Sequence, residues 1–331
     1  MALVVVTGAS GLLGGNLALE LAARGHRVRA TRRGSTNVAH LKDAPIEWVD
    51  ASLEDAEALA RAFDGAGAVF HCAAQVSIRR SVTPELVRAN VDGTRHVIDA
   101  VRAAKAGRLV HCSTTAAVGL STDGQPCTEE TPYNMAEFGL QDAYSKTKHA
   151  SEVLVHDAAG AGLDAVIVNP GYMFGPNDAK PSSGTVIIGL LDGKIPGRVP
   201  GKNSFVDVRD VARGMIAAWE KGRRGERYIL AGHNIPYAEM FDLVMDTAGR
   251  ARLRRSTPRF AAKLLGWAGD VGEALMTREP LINSSSVGFA YSDRFIFSSE
   301  KAKRELGYTI GPLDVAIKDA LDWFRAHGMV R

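Results

Sequence analysis

Cysteine is nearly missing from this chain: of 331 residues only Cys72, Cys112 and Cys127 carry a thiol. An odd number without metal-type spacing excludes a disulfide framework and argues for a reducing compartment, so the expected location is the cytoplasm. An excess of charge of one sign is missing too. Forty Lys and Arg stand against 37 Asp and Glu, a formal balance of +3, too little for a nucleic-acid field unless the cations cluster; no nucleic-acid partner is expected. No apolar stretch approaches the roughly 18 residues of a membrane span. The start, Met1 to Gly8, has no basic flank before its short Leu3-Val4-Val5-Val6 run, so neither a leader, an anchor nor a membrane partner is expected. Fixed-period repeats and low-complexity tracts are absent as well. What is present is an ordinary globular composition, 46% hydrophobic and 23% charged, long enough for two domains or one large α/β unit.

In the first half, short β-branched runs alternate with helix-length stretches rich in Ala, Leu and charge, the pattern of a parallel sheet covered on both faces. The strands are expected over Leu3 to Thr7, Arg27 to Arg32, Glu47 to Asp50, Ala68 to Cys72, Arg108 to Ser113 and Ala165 to Asn169. Helices are expected between them over Gly14 to Arg24, Glu54 to Phe63, Pro84 to Ala104 and Asp142 to Ala159. After Asn169-Pro170 the rhythm loosens into glycine and proline punctuation, with one apolar helix at Thr185 to Asp192. Further on come helices at Asp210 to Lys221, Tyr237 to Ala248, Pro258 to Leu275 and Leu313 to Ala326, and a strand at Arg227 to Leu230. The expected architecture is a doubly wound parallel α/β sheet of Rossmann type over residues 1–170, with a segment near 203–230 returning to it. Residues 171–331 would mainly form a smaller C-terminal substrate-binding lobe.

Four motifs carry chemistry. Thr7-Gly8-Ala9-Ser10-Gly11-Leu12-Leu13-Gly14 follows the first strand and opens a helix. In that context the first glycine permits a tight turn, the second lets backbone N–H groups approach a pyrophosphate, and the third lets helix and strand pack closely. An NAD site would place Asp or Glu at the end of the second strand; this strand ends Arg32-Arg33. Two guanidiniums suit a ribose 2′-phosphate, so NADP(H) is expected over NAD(H). Tyr144-Ser145-Lys146-Thr147-Lys148 starts a helix, where positions four apart share a face. Tyr144 and Lys148 therefore point together, and an ammonium beside a phenol favours the phenolate. Finally, Ser113-Thr114-Thr115 puts hydroxyls at the carboxyl edge of the sheet, where a substrate oxygen can be held.

With Phe70-His71-Cys72-Ala73-Ala74 and Asn90-Val91-Asp92-Gly93-Thr94 added in that order, the chain resembles the extended short-chain dehydrogenase/reductase family along essentially its whole length. The stretches Val168-Asn169-Pro170, Gly175 to Pro181 and Gly225 to Leu230 look like its dihydroflavonol-4-reductase-like branch, which also holds hopanoid-associated sugar epimerases. The resemblance implies that Thr114 binds the substrate carbonyl, with Ser113 as rival, that Tyr144 is the proton donor, and that Lys148 holds the nicotinamide ribose. It also puts Gly8, Ser10, Gly11, Leu12, Arg32, Asp50, Ala51, Ala73, Asn90 and Pro170 around the cofactor, Asp50 near the adenine, with Arg33 beside Arg32 from the strand-end reading. Sugar-nucleotide epimerases and dehydratases commonly carry Arg where Asn169 stands. The implied activity is NADPH-dependent reduction of an aldehyde or ketone, the partner a small carbonyl or alcohol substrate, and the assembly a homodimer through the helices holding Asn90 and Tyr144. The alternatives are a sugar epimerase with transient cofactor use, a hydroxysteroid-like alcohol dehydrogenase, and a cofactor-sensing regulatory protein. The last is opposed by the Tyr-Lys pair.

Other features carry less. His71-Cys72 and His111-Cys112 end adjacent strands, but successive strand residues face opposite ways, so core filling is expected and no metal. The arginines at 250, 252, 254, 255 and 259 read as a solvated turn. His149, His156 and the Val186 to Leu191 run could border a cleft or pack elsewhere.

Overall fold

The computed structural model describes residues 1–34, 36–275 and 282–330. Strands β1 (Leu3–Thr7), β2 (Arg27–Arg32), β3 (Ile46–Asp50), β4 (Ala68–His71), β5 (Arg108–Cys112), β6 (Ala165–Pro170) and β9 (Arg227–Leu230) form one sheet in the order β3-β2-β1-β4-β5-β6-β9. Every pairing in it is parallel. The strands are apolar on both sides because both sides are covered. Val4 and Val6 join Val110 and Val168 under helices α1 (Leu12–Ala23) and α7 (Val208–Lys221), whereas Val5 joins Val69, Leu109 and Ile167 under α2 (Ala56–Phe63), α4 (Gly93–Ala103) and α5 (Ala143–Gly160). Burial on two faces at about 25 cal/mol per Å² makes this the main stabilising layer.

A second sheet, of three strands, was not foreseen. It is built from β7 (Tyr172–Phe174), β8 (Lys202–Asp207) and β10 (His233–Pro236), with β8 parallel to β7 and antiparallel to β10. Around it, α6 (Thr185–Leu191), α8 (Tyr237–Thr247) and α12 (Leu313–Ala326) close a separate core on Phe174, Phe205, Phe241 and Phe324. The Val186 to Leu191 run belongs to that packing. The single helix expected over Pro84 to Ala104 is interrupted: α3 (Pro84–Val87) passes through a wider π-type turn at Arg88–Asp92 before α4 begins. The expected helix over Pro258 to Leu275 is α9 (Arg259–Leu275), which packs on α10 (Ser284–Tyr291); α11 (Glu300–Leu306) lies against α7.

Chain order places the crevice. The chain runs outward from β1 through β2 to β3 and then returns to place β4 beside β1, so the sheet order reverses at their carboxyl ends. Ligands of open α/β sheets bind at such a point.

Candidate active site

At that reversal, Gly8 has φ +75°, a conformation that disfavours any side chain. A Cβ on Gly14 would strike the Gly8 carbonyl, so glycine there is what lets α1 lie close to β1. Gly11 is different, for a Cβ on it would meet only Gly8 O at 3.4 Å. It caps α1 with no side-chain partner for the exposed N–H groups and no acidic residue in the first turn. The arrangement suits an anion, with the helix dipole behind it. The donors thus fit the pyrophosphate of a dinucleotide, with Ser10 and Leu12 in the same turn.

Arg32 ends β2 beside Asp50, which ends β3, and its Nε donates to Asp50 Oδ1 at 3.1 Å. The rest of the Arg32 guanidinium is only partly covered and Arg33 is exposed, so both can still meet a phosphate. Ala51 follows, buried, with its N–H on the Arg32 carbonyl. Across the switch point the Ala73 N–H donates to Thr7 Oγ1. Thr7 Oγ1 also bonds His71 Nδ1 at 2.8 Å, and His71 Nε2 bonds Thr94 Oγ1 at 3.2 Å. Burial, with Lys148 nearby, pushes the His71 pKa down to about 3, so the imidazole is a neutral pin between β1, β4 and α4. Asn90 is also at the crevice, but its amide is spent on protein. Its Oδ1 accepts from Gln75 N at 2.7 Å and its Nδ2 donates to Gln75 O and to Thr147 Oγ1. What Asn90 offers is therefore the placement of the 73–75 loop rather than a free donor.

Helix α5 is fixed at its start by a capping box. Ser145 N donates to Asp142 Oδ1 at 2.7 Å and Asp142 N to Ser145 Oγ at 3.1 Å. This locks the turn that carries Tyr144. The Thr114 hydroxyl caps the short turn after β5 by accepting from Ala116 N and lies close enough to the Tyr144 phenol to pull its pKa down, and Lys148 Nζ, one turn on, donates to Cys112 O at 2.7 Å. Thr114, Tyr144 and Lys148 are thus brought together at the end of β5. Burial, and then the neighbouring Cys112 and Asp142, hold the Tyr144 phenol above its ordinary pKa; the opposing pull comes from Thr114. The lowering expected from Lys148 is not seen; the Lys148 ammonium is turned to the Cys112 carbonyl. Lys148 itself is lowered by burial and held up by Cys112 and Glu152. Pro170, at the end of β6, pairs with Leu230 on the far side.

Ser113 is placed apart from this group. Its hydroxyl donates to the Glu152 carboxylate at 2.5 Å, beneath the crevice. Glu152 Oε2 also accepts from Asn169 Nδ2 at 2.7 Å, and Glu152 Oε1 from Arg227 Nη1 at 3.1 Å. The same Asn169 amide donates to Thr114 O at 3.0 Å. The network Ser113, Glu152, Asn169 and Arg227 escaped the sequence reading, yet a signal was there: Tyr144, Lys148 and Glu152 lie four apart on one helix face. His149 stacks on Tyr133 with ring centres 4.0 Å apart, and His156 is exposed. Among the described residues no cluster of His, Cys, Asp or Glu could hold a metal ion. Nor, among them, is any helix long and apolar enough to cross a membrane.

A glycine turn at a sheet reversal, with a Thr, Tyr and Lys set after β5 and on α5 at the same edge of the sheet, belongs to an oxidoreductase of the extended short-chain dehydrogenase/reductase class, with Rossmann architecture. Residues 4–231 match the NAD dependent epimerase/dehydratase family, and the chain belongs to that family. It is an NAD(P)-dependent enzyme acting on CH–OH or carbonyl groups. It is 33% identical to a putative dihydroflavonol 4-reductase of Synechocystis over 98% of this chain and 95% of that protein. It is 35% identical to sterol demethylase protein B of Methylococcus capsulatus over 98% of this chain and 99% of that protein. Among solved structures, gox2253 superposes with a TM-score of 0.86 at 32% identity, each chain fully covered.

Proposed function

We propose that the chain is a net reductase that uses NADPH to convert an aldehyde or ketone to the alcohol. The observation that carries this reading is the half-buried Tyr144 phenol at the capped start of α5, with Lys148 one turn on and Thr114 at the end of β5. A phenol titrates near 10 and is protonated at neutral pH, the state a proton donor needs; burial raises it further. The bound cofactor would supply hydride to the carbonyl carbon. Thr114 would donate a hydrogen bond to the carbonyl oxygen, and Tyr144 would give its proton to that oxygen as the C=O electrons move onto it. Solvent then returns a proton to Tyr144. Lys148 would hold the ribose hydroxyls and favour the transient phenolate. Gly8, Ser10, Gly11 and Leu12 would seat the pyrophosphate. Arg32 and Arg33 would grip the 2′-phosphate, Asp50 and Ala51 would border the adenine, and Ala73 and Pro170 the nicotinamide side. Residues after Gly171, with the second sheet, would form the substrate lobe.

The test is NADPH oxidation followed at 340 nm over a panel of aldehydes and ketones. Tyr144→Phe should lower turnover on the order of a hundredfold or more while cofactor affinity stays within about twofold. Near-normal turnover in that variant defeats the mechanism. Tight binding of a nucleotide sugar, turned over with no net change in NADPH absorbance, would instead establish an epimerase.

A further inference from the structure

Helix α9 is amphipathic the wrong way round for a helix on a protein surface. Its small side, Ala262, Gly266 and Gly269, faces the protein, and a Cβ on Gly266 would come within 3.1 Å of Ser284 Cα. A Cβ on Gly269 would strike the Ile282 carbonyl. The glycines therefore fix the rotation of the helix. On the same inner side, Arg80 N donates to Glu273 at 3.2 Å and the Arg80 guanidinium pairs with Asp270 at 3.1 Å. The opposite side carries Phe260, Leu264, Trp267, Val271 and Leu275, spaced as one helical stripe. Phe260 is 77% exposed, Leu264 64%, Trp267 63% and Leu275 82%. Monomeric proteins seldom leave a contiguous stripe of this kind in water without a use.

The charge beside the stripe says what covers it. Between residues 247 and 269 there are six Lys and Arg and no Asp or Glu. Arg254, Arg255, Arg259 and Lys263 are exposed, and none of them is ion-paired among the described residues. Arg254 opens onto a hollow of about 670 Å³, which it shares with Arg198, Arg252 and Ser256. The carboxylates nearby are engaged: Asp242 by Arg198 at 2.8 Å and Asp246 by Arg252 at 2.5 Å. A second copy of this chain laid stripe on stripe would bring two such cationic flanks together with no local carboxylate to offset them. A bilayer surface bearing anionic headgroups supplies an apolar layer for the stripe and phosphates for the arginines.

We propose that α9 and the preceding basic segment form an interfacial membrane-docking surface, with α9 lying in the plane of an anionic bilayer. Seventeen helical residues span about 25 Å along that plane. The Glu273 and Asp270 contacts join α9 to Arg80 and Ser81. The Arg79 carbonyl of the same loop accepts from Ala143 N, next to Tyr144. The inner face of α9 is thus tied to the loop that meets the start of α5. This inference goes beyond the reductase reading and stands whether or not that reading holds.

The test uses the full chain and vesicles of phosphatidylcholine with or without 30% phosphatidylglycerol (about one lipid in three, a common anionic content). Co-flotation with the anionic vesicles is expected, with little on phosphatidylcholine alone and release in high salt. Tryptophan fluorescence should shift to the blue on binding and be quenched by brominated lipid, and Trp267→Ala should remove most of the quenching. Arg254→Glu with Arg255→Glu should weaken partition roughly fivefold or more per reversed charge. Leu264→Ser with Trp267→Ser should abolish it while circular dichroism and melting temperature stay at wild-type values, because these side chains contact little protein. No flotation with anionic vesicles overturns the proposal. So does a wild-type dimer that Trp267→Ser turns into a monomer, since the stripe would then seat a second copy. If the double serine variant unfolds, the fluorescence quenching of Trp267 in the wild type still decides.

Discussion

Replacing Glu152 by Gln keeps the shape of the side chain and removes one buried charge, and the surrounding contacts set the size of the effect. Glu152 is 5% exposed and accepts from Ser113, Asn169 and Arg227. Arg227 is anchored in turn to the carbonyls of Glu129 and Thr131. It cannot swing out to water when its carboxylate is lost. Breaking one side of a buried pair costs about 3–5 kcal/mol, most of it from the charge left behind. For a chain of 331 residues, unfolding entropy near 0.7 kcal/mol/K makes that a fall of about 4–7 °C in melting temperature. A second readout separates this from ordinary destabilisation. Glu152 is one of the groups that hold up the Lys148 pKa against burial. Without it the Lys148 pKa falls further, the ammonium is lost at lower pH, and the alkaline limb of kcat should move to lower pH. Calorimetry and a pH-rate profile of Glu152→Gln check both. A melting temperature within 1–2 °C of wild type (well under the ~3 kcal/mol expected), with an unmoved alkaline limb, would refute the reasoning that Glu152 supports the site electrostatically.

Three further outcomes are expected. Arg32→Gln removes part of the proposed 2′-phosphate grip and should lower the NADPH-to-NADH ratio of kcat/KM by roughly tenfold to a hundredfold, from ~1.5–3 kcal/mol of charge-assisted bonding; a wild type that uses both cofactors equally would end that argument at once. Thr114→Val should slow turnover more than it lowers stability, whereas Ser113→Ala should do the reverse because its hydroxyl serves Glu152; the opposite ranking in paired kinetic and melting assays would move the carbonyl role to Ser113. The His71 pKa lies near 3 in the folded chain and about 6.5 in the unfolded one. Its contribution is therefore complete above about pH 6.5 and is lost as pH falls toward 3, about 2 kcal/mol by pH 5. Burial lowers His111 as well, and both its ring nitrogens lack partners among the described residues, so His111→Leu should lessen the drop in melting temperature between pH 7 and pH 5.

The large sheet was readable because each of its strands is buried on both faces and so carries its own apolar run, from Leu3-Val4-Val5-Val6 to Arg227-Tyr228-Ile229-Leu230. The small sheet was not. Tyr172–Phe174 is only three residues long, and His233–Pro236 reads as a turn by composition; both are strands because β8 lies between them. Pairing with a distant partner overrides local preference there. The interruption at Arg88–Asp92 has the same origin. Asn90 is in helical sequence, but its amide is required by Gln75 and Thr147, and the turn widens where it serves them. At the site, the glycine turn and the Tyr-Lys pair were visible from spacing. The Glu152 network was not, since three of its members come from different elements and only the fold brings them to one place.

The choice between Ser113 and Thr114 shows how one residue of register divides two kinds of work. Neighbours at the end of a strand face opposite ways. Ser113 faces inward and meets Glu152, and with Asn169 and Arg227 it satisfies a buried charge. Thr114 does not join that network: its hydroxyl caps the turn after β5 and lies near enough to Tyr144 to lower its pKa. The two are nonetheless linked, because Asn169 Nδ2 donates both to Glu152 and to the Thr114 carbonyl. The carboxylate that anchors the inner layer thereby also fixes the backbone that presents the outer hydroxyl. A side chain longer than Asn at 169 would displace one of those bonds, which gives a physical reason for a short amide here in place of the arginine common in sugar-nucleotide enzymes of this family. Asn169 is buried and occupied with holding the proposed carbonyl-binding strand end in place.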